Sequence, residues 1–344
     1  MTDAEPISVS ARGAHPQLGA HPPLSRLGLG AWAFGRTGWG AQDDRDSRAA
    51  ILRAVELGVN WIDTAAVYGD GHAEELLGTA VQELPAADRP LLFTKCGLRI
   101  DPASGRTFRD LSPASLRQEC EASLRRLHVE RIDLYQIHWP TADGDGLEDA
   151  WETLSELATA GKVRWIGVSN FSAAQLDRCA ALRPVDSIQF PLSLLARETV
   201  AELTHWAAGH GAAAITYSPL ASGLLSGRFS AQRLTALDEG DWRRRRNEFQ
   251  PPAFARTLAL VERLRPLAAS LDASVAQLAI AWALAWPHVT GAIVGARSAS
   301  QVEGWIGATG LRLDGEMLEQ IATALGETAA GLGPARPAAG RGAP

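Results

Sequence analysis

Short apolar runs of strand length alternate along most of this chain with longer segments whose apolar residues recur at helical spacing. The runs fall near 27–33 (LGLGAWA), 59–63, 90–95, 132–138, 163–168 (VRWIGV), 185–190 (VDSIQF), 212–217 (AAAITY) and 288–294 (HVTGAIV). Such alternation predicts βα units and a parallel sheet. Eight strands are the number that closes a (β/α)8 TIM barrel.

The intervening segments carry helix signals. Ser112 followed by Pro113 reads as an N-cap with proline at the first helical position, and Leu116, Cys120, Leu124 and Leu127 then form one stripe. Leu147, Trp151, Leu154 and Ala158 repeat the pattern up to Gly161. Ser172 with Gln175, Ser274 with Gln277 and Ser298 with Gln301 have the spacing of a capping box. Pro287 ends a helix over 274–286.

Residues 218–252 break the rhythm with a long stretch rich in Gly, Ser, Arg and Pro. A loop of that length inside a compact domain points to function. The expected organisation is a flexible segment over 1–23, one barrel domain over 24–327 and a disordered Ala/Gly/Pro-rich tail over 328–344.

Composition narrows the function classes. A net charge of −6 gives no reason to expect nucleic acid or an anionic membrane as partner. The basic run Arg243–Arg246, beside Asp241 and Glu248, reads as a solvated or loop-anchoring segment. No apolar stretch is long enough to span a bilayer, and the N-terminus lacks the pattern of a secretion signal. Cys96, Cys120 and Cys179 are odd in number and lack metal-ligand spacing, which suits reduced thiols in a cytoplasm. No metal site is expected, and nothing fixes the oligomeric state.

The candidate chemistry lies at strand ends. VNWIDTAAVYG (59–69), PLLFTK (90–95) and IDLYQIHWP (132–140) contribute Asp63, Tyr68, Lys95 and His138. Parallel barrels gather their strand ends on the face where they place their chemistry. A phenol, with an ordinary pKa of about 10, becomes a useful acid where a cation stabilises the phenolate. Lys95 is suited to that task, with Asp63 holding the lysine and His138 offering a hydrogen bond to a carbonyl or to the phenol. The set suits proton delivery to an oxygen on which charge develops.

Six segments in order resemble the aldo-keto reductases, most closely their bacterial branch. They are WIDTAAVYGDGHAEELLG (61–78), FTKCG (93–97), DLYQIHWP (133–140), GKVRWIGVSNFS (161–172), YSPLASGLLSGRF (217–229) and IVGARSASQVE (293–303). The resemblance implies NAD(P)H-linked interconversion of carbonyls and alcohols, with Tyr68 as general acid/base supported by Asp63, Lys95 and His138. It also implies that Ser169, Asn170 and Gln189 hold the nicotinamide carboxamide and that Tyr217 stacks on the ring. Ser218, Pro219, Leu220 and Gly223 resemble the segment that wraps the pyrophosphate.

Gly295, Arg297 and Ser298 open a helix, where a helix N-terminus and a guanidinium suit the 2′-phosphate of NADPH. Gln301 has two readings, an adenine contact or the capping box with Ser298. Gly304 departs from the asparagine frequent in the family. NADPH is expected in preference to NADH. Trp32 and Trp139, together with Phe34, are expected to wall the pocket of a small carbonyl or alcohol substrate, and Trp39 and Trp242 are loop aromatics placed to close over it. The alternative reading is an NADPH-binding regulatory subunit like the potassium-channel β subunits, which resemble the same family.

Overall fold

The computed structural model describes residues 23–36 and 38–337. All eight predicted runs form strands, and they close into one parallel barrel. In chain order the strands are β1 (Leu27–Gly30), β2 (Trp61–Asp63), β3 (Leu91–Cys96), β4 (Leu98–Ile100), β5 (Thr107–Arg109), β6 (Ile132–Ile137), β7 (Val163–Ser169), β8 (Ser187–Pro191), β9 (Ala213–Tyr217) and β10 (Val289–Gly295). Around the barrel the order is β1, β2, β3, β6, β7, β8, β9, β10 and back to β1. β4 and β5 form a separate antiparallel hairpin after β3. Their residues are exposed or only partly buried, so no apolar run marks them.

The helices are α1 (Asp44–Glu56), α2 (His72–Gln82), α3 (Pro113–Leu127), α4 (Leu147–Thr159), α5 (Ala173–Leu182), α6 (Val200–His210), α7 (Ala231–Thr235), α8 (Ala253–Ser270), α9 (Val275–Leu284), α10 (Ala299–Ile306) and α11 (Gly315–Thr328). Ser112 caps α3 through its side chain, and both Ser172/Gln175 and Ser274/Gln277 form reciprocal capping boxes. Ser298 with Gln301 does not. The Gln301 Oε1 reaches one residue further and accepts from the Arg297 N–H at 2.8 Å, while the Ser298 hydroxyl meets that of Ser300 at 3.0 Å.

Strand periodicity explains both core and site. Trp61, Phe93, Leu134, Trp165, Ala213, Ile215 and Ile293 fill the barrel interior as one apolar cluster. Gly28 makes room for Trp61, whose ring lies 2.4 Å from where a Cβ would stand. Two residues further along their strands, on the same inward face, lie Asp63 above Trp61, Lys95 above Phe93, Gln136 above Leu134 and Tyr217 above Ile215. The barrel therefore ends in a polar layer over an apolar plug.

The long stretch after β9 is folded, with short 3-10 turns at Ala221–Ser226, Trp242–Arg245 and Asn247–Phe249 around a core of Leu224, Phe229, Phe249 and Phe254. Within the basic run, Arg243 is buried and anchors the loop through a two-pronged ion pair with Asp241 (2.6 Å and 2.9 Å), while Arg244, Arg245 and Arg246 are exposed.

The expectations for 1–22 and 338–344 lie outside the described residues. Residues 329–337 run beside the loop after β8, where the buried Arg197 donates to the carbonyls of Ala330 and Gly333. Among the described residues, no single helix is long and apolar enough to cross a membrane, and no group of His, Cys, Asp and Glu has a metal-binding arrangement.

Candidate active site

Asp63, Tyr68, Lys95 and His138 come together at the C-terminal mouth of the barrel. The Lys95 ammonium forms a buried ion pair with Asp63 Oδ1 and donates to the Thr64 carbonyl at 2.9 Å. It stands 5.5 Å from the centre of the Tyr68 ring. The imidazole of His138 meets the phenol edge-on, with ring centres 5.7 Å apart.

Tyr68 is set by local backbone. It lies in the turn between β2 and α2, and the Tyr68–Gly69 peptide presses against Gly35. A Cβ on Gly69 would lie 2.4 Å from the Gly35 carbonyl oxygen, and one on Gly35 would lie 2.6 Å from the Gly69 nitrogen. Gly69 also has φ of 64°, in the left-handed region that favours glycine.

Removal from water dominates the electrostatics of Tyr68, Lys95 and His138. Burial pushes the Tyr68 phenol well above its ordinary pKa, and the Asp63 charge and Tyr217 add to the shift. The phenol therefore keeps its proton in the resting site and is not a phenolate held by Lys95. Burial also lowers Lys95, against the opposing pull of Asp63. His138 falls well below the usual imidazole value through burial and then the Lys95 charge, so its ring is neutral near pH 7.

The remaining candidates occupy the same mouth. Gln189 donates to Asp63 Oδ2 at 2.9 Å and to Gln136 Oε1 at 3.4 Å. Gln136 in turn approaches Asp63 Oδ2 at 3.5 Å. Sequence reasoning passed over Gln136, although period-two spacing from Leu134 through Gln136 to His138 marks it as inward. Asn170 has a left-handed backbone (φ 66°) and donates to the His138 carbonyl and the Ser169 hydroxyl, each at 3.0 Å. Its Oδ1 accepts from the Tyr217 hydroxyl at 2.7 Å, which fixes that ring. Burial lifts the Tyr217 phenol to about 12, so it stays protonated.

Beyond Tyr217 the chain turns sharply through Ser218, Pro219, Leu220 and Gly223, with positive φ at Ser218, Ala221, Ser222 and Gly223. Gly295 ends β10, and Arg297 and Ser298 follow it at the adjoining edge of the barrel.

Aromatic rings wall the opening. Trp32, 41% exposed, stacks on Trp242 at 5.2 Å and lies 6.2 Å from Tyr68 with the planes 29° apart. Trp39 packs edge-on against both Trp32 and Trp242. Trp139 is 36% exposed and lies under the Arg109 guanidinium at 5.5 Å. Phe34 is fully buried in the outer core and does not line the opening.

Residues 26–325 match the model of the aldo/keto reductase family. Aldo-keto reductase YhdN of Bacillus subtilis is 38% identical over 88% of this chain and 91% of its own length. The NADH-specific methylglyoxal reductase of Escherichia coli is 31% identical over 88% of this chain and 96% of its own. Among solved structures, the glycerol dehydrogenase AKR11B4 from Gluconobacter oxydans superposes with a TM-score of 0.81 at 37% identity, covering 91% of this chain and 94% of that one. Matches of that extent join sequence and barrel alike, and the chain belongs to the aldo/keto reductase family of oxidoreductases.

Proposed function

We propose that this protein reduces a small aldehyde or ketone to the alcohol with a reduced nicotinamide dinucleotide, NADPH in preference to NADH, and that Tyr68 is the general acid. The carrying observation is the convergence of a protonated phenol, an ion-paired lysine and a neutral imidazole at one barrel mouth. The dinucleotide, when bound, supplies the hydride. Tyr68 gives its proton to the carbonyl oxygen as negative charge develops there. Lys95, fixed by Asp63, then stabilises the phenolate that remains. The neutral His138 ring offers an N–H to the same oxygen, and Trp32 and Trp139 bound the space above it.

The residues around the mouth fit a nicotinamide dinucleotide. Ser169, Asn170 and Gln189 present hydroxyl and amide groups suited to a carboxamide, and Tyr217 presents a ring held by its hydroxyl. The left-handed run at Ser218, Ala221, Ser222 and Gly223 bends the backbone as a turn that approaches an anion does, which supports Ser218, Pro219, Leu220 and Gly223 as pyrophosphate partners. Gly295, Arg297, Ser298 and Gln301 would take the adenosine end, with Arg297 on a 2′-phosphate.

Initial rates of NADPH and NADH oxidation with methylglyoxal, and of NADP+ and NAD+ reduction with glycerol, test the proposal. Both compounds are named for relatives. Turnover of a carbonyl compound with NADPH exceeding that with NADH is expected. Tight NADPH binding without turnover of any carbonyl would instead indicate a regulatory subunit.

A further inference from the structure

Gln42 and Arg297 stand 255 residues apart in sequence and clasp each other. The Arg297 Nε donates to Gln42 Oε1 at 2.6 Å, and the Gln42 amide donates back to the Arg297 carbonyl at 2.9 Å. A further Arg297 nitrogen, Nη2, donates to the Ala41 carbonyl. The Gln42 amide is itself anchored to the buried Ser47 hydroxyl at 2.9 Å, in the first turn of α1. Gln301 Oε1 holds the Arg297 N–H from the other side.

The chemistry of this clasp is selective. A guanidinium carries five N–H groups in a fixed fork. Two of them face neutral acceptors of the loop, Gln42 Oε1 and the Ala41 carbonyl, so the charge is held in place without being cancelled. The remaining N–H groups include both on Nη1, enough for a phosphate monoester. Burial is the main influence on the Arg297 guanidinium, and around it lie the acids Asp238 and Asp241 and the cations Arg233 and Arg243, which act on it in opposite directions. An unanchored arginine loses rotamer freedom when it binds an anion, and an anchored one has lost it already.

We propose that Gln42 is a positioning residue that pre-orients Arg297 for the 2′-phosphate, so that the loop between β1 and α1 sets the choice between NADPH and NADH. This rests on the reading of Arg297 given under Proposed function. A glutamine is suited to the task and a glutamate is not. Gln42→Glu keeps the acceptor yet brings a carboxylate that neutralises the guanidinium and repels the phosphate.

Titration of NADPH and NADH against the wild-type protein, Arg297→Ala, Gln42→Met, Gln42→Glu and the Gln42→Met/Arg297→Ala double variant tests this. Arg297→Ala should weaken NADPH about tenfold or more and NADH hardly at all. Gln42→Met should weaken NADPH about threefold to tenfold with NADH nearly unchanged, and Gln42→Glu should weaken NADPH further still. In the Arg297→Ala background, Gln42→Met should add almost nothing, since residues acting through one another are non-additive. If Arg297→Ala discriminates between the cofactors but both Gln42 variants leave the NADPH/NADH ratio at its wild-type value, the clasp is only structural and the proposal fails. If Arg297→Ala itself leaves the ratio unchanged, the reading of Arg297 fails first and takes the proposal with it. Thermal unfolding of the two Gln42 variants separates a local change from a collapse of the loop.

Discussion

Burial sets the ionisation of the residues in the mouth, and its consequences are measurable one group at a time. His138 is neutral well below its ordinary pKa, and Tyr68 is protonated well above its own. The rate of carbonyl reduction should therefore be level from about pH 6 to about pH 8, with no step at the ordinary imidazole value of about 6.5. A pH–rate profile that falls across that value would show a charged histidine at work. Lys95→Met should be as damaging as Tyr68→Phe, and the double variant little worse than either, because the two act as one unit. Losses that multiply in steady-state kinetics would separate them.

Glu119 makes a different prediction at the same scale. Its carboxylate accepts from the Gly97 N–H at 3.1 Å and from the Ser115 hydroxyl at 3.2 Å, yet burial outweighs both and raises its pKa from 4.5 to about 7. A carboxyl raised on folding holds a proton that the unfolded chain has already lost between those values. Stability attributable to it is complete below about pH 4.5 and falls as pH rises towards about 7, by of order 3 kcal/mol. Urea unfolding at the two ends of that window should show the fall, and Glu119→Gln should remove it. A fall that persists in the variant would assign the effect to another group.

At the scale of elements, the strands were legible because period two and period 3.6 are both written in the sequence, and the interior of a barrel needs the first on every strand. Asp63 and Lys95 could be placed because each ends a recognisable run, whereas Ser169, Gln189 and Tyr217 were legible through the resemblance of their segments to the aldo-keto reductases. Gln136 was passed over because the run continues to His138 and hides a polar residue inside it. The clasp of Gln42 with Arg297 lay beyond reach, since no local pattern relates loops 255 residues apart. The β4–β5 hairpin escaped for the opposite reason, having no apolar face to bury. Phe34 follows β1 as Trp32 does, yet it turns into the outer core, and that choice depends on the 3-10 turn at Trp32–Gly35.

One inter-element contact tests how the site is braced. Glu74 on α2 accepts from the Thr94 hydroxyl on β3 at 2.6 Å and pairs with Arg126 on α3, so three elements behind Lys95 share one buried carboxylate. Glu74→Ala should cost about 3 kcal/mol, since it leaves a hydroxyl and a partly buried guanidinium without their partner. Chemical denaturation measures this, and a loss below about 0.5 kcal/mol would show that the contact bears no weight.

Taken as a whole molecule, the barrel holds a plug of apolar side chains with a polar layer above it, and two loop segments, 38–43 and 218–252, meet over that layer. Trp242 donates its backbone N–H to the Gly38 carbonyl at 3.2 Å and packs on Trp32 and Trp39, so the loops form one rim. The rim runs from Trp32, on the proposed substrate side, to Arg297, on the proposed cofactor side. This is the arrangement expected where one opening serves a dinucleotide and a small carbonyl compound together.

The central claim is that Tyr68 supplies the proton in carbonyl reduction while other residues hold the cofactor. The most direct measurement is the turnover of Tyr68→Phe with a carbonyl substrate of the wild-type protein, paired with an NADPH titration of both. The account predicts a fall in kcat of about 100- to 10,000-fold with cofactor affinity within about twofold of wild type. Turnover within about threefold of wild type would contradict it, because the proton would then have to come from another group in the mouth, such as His138 or Lys95.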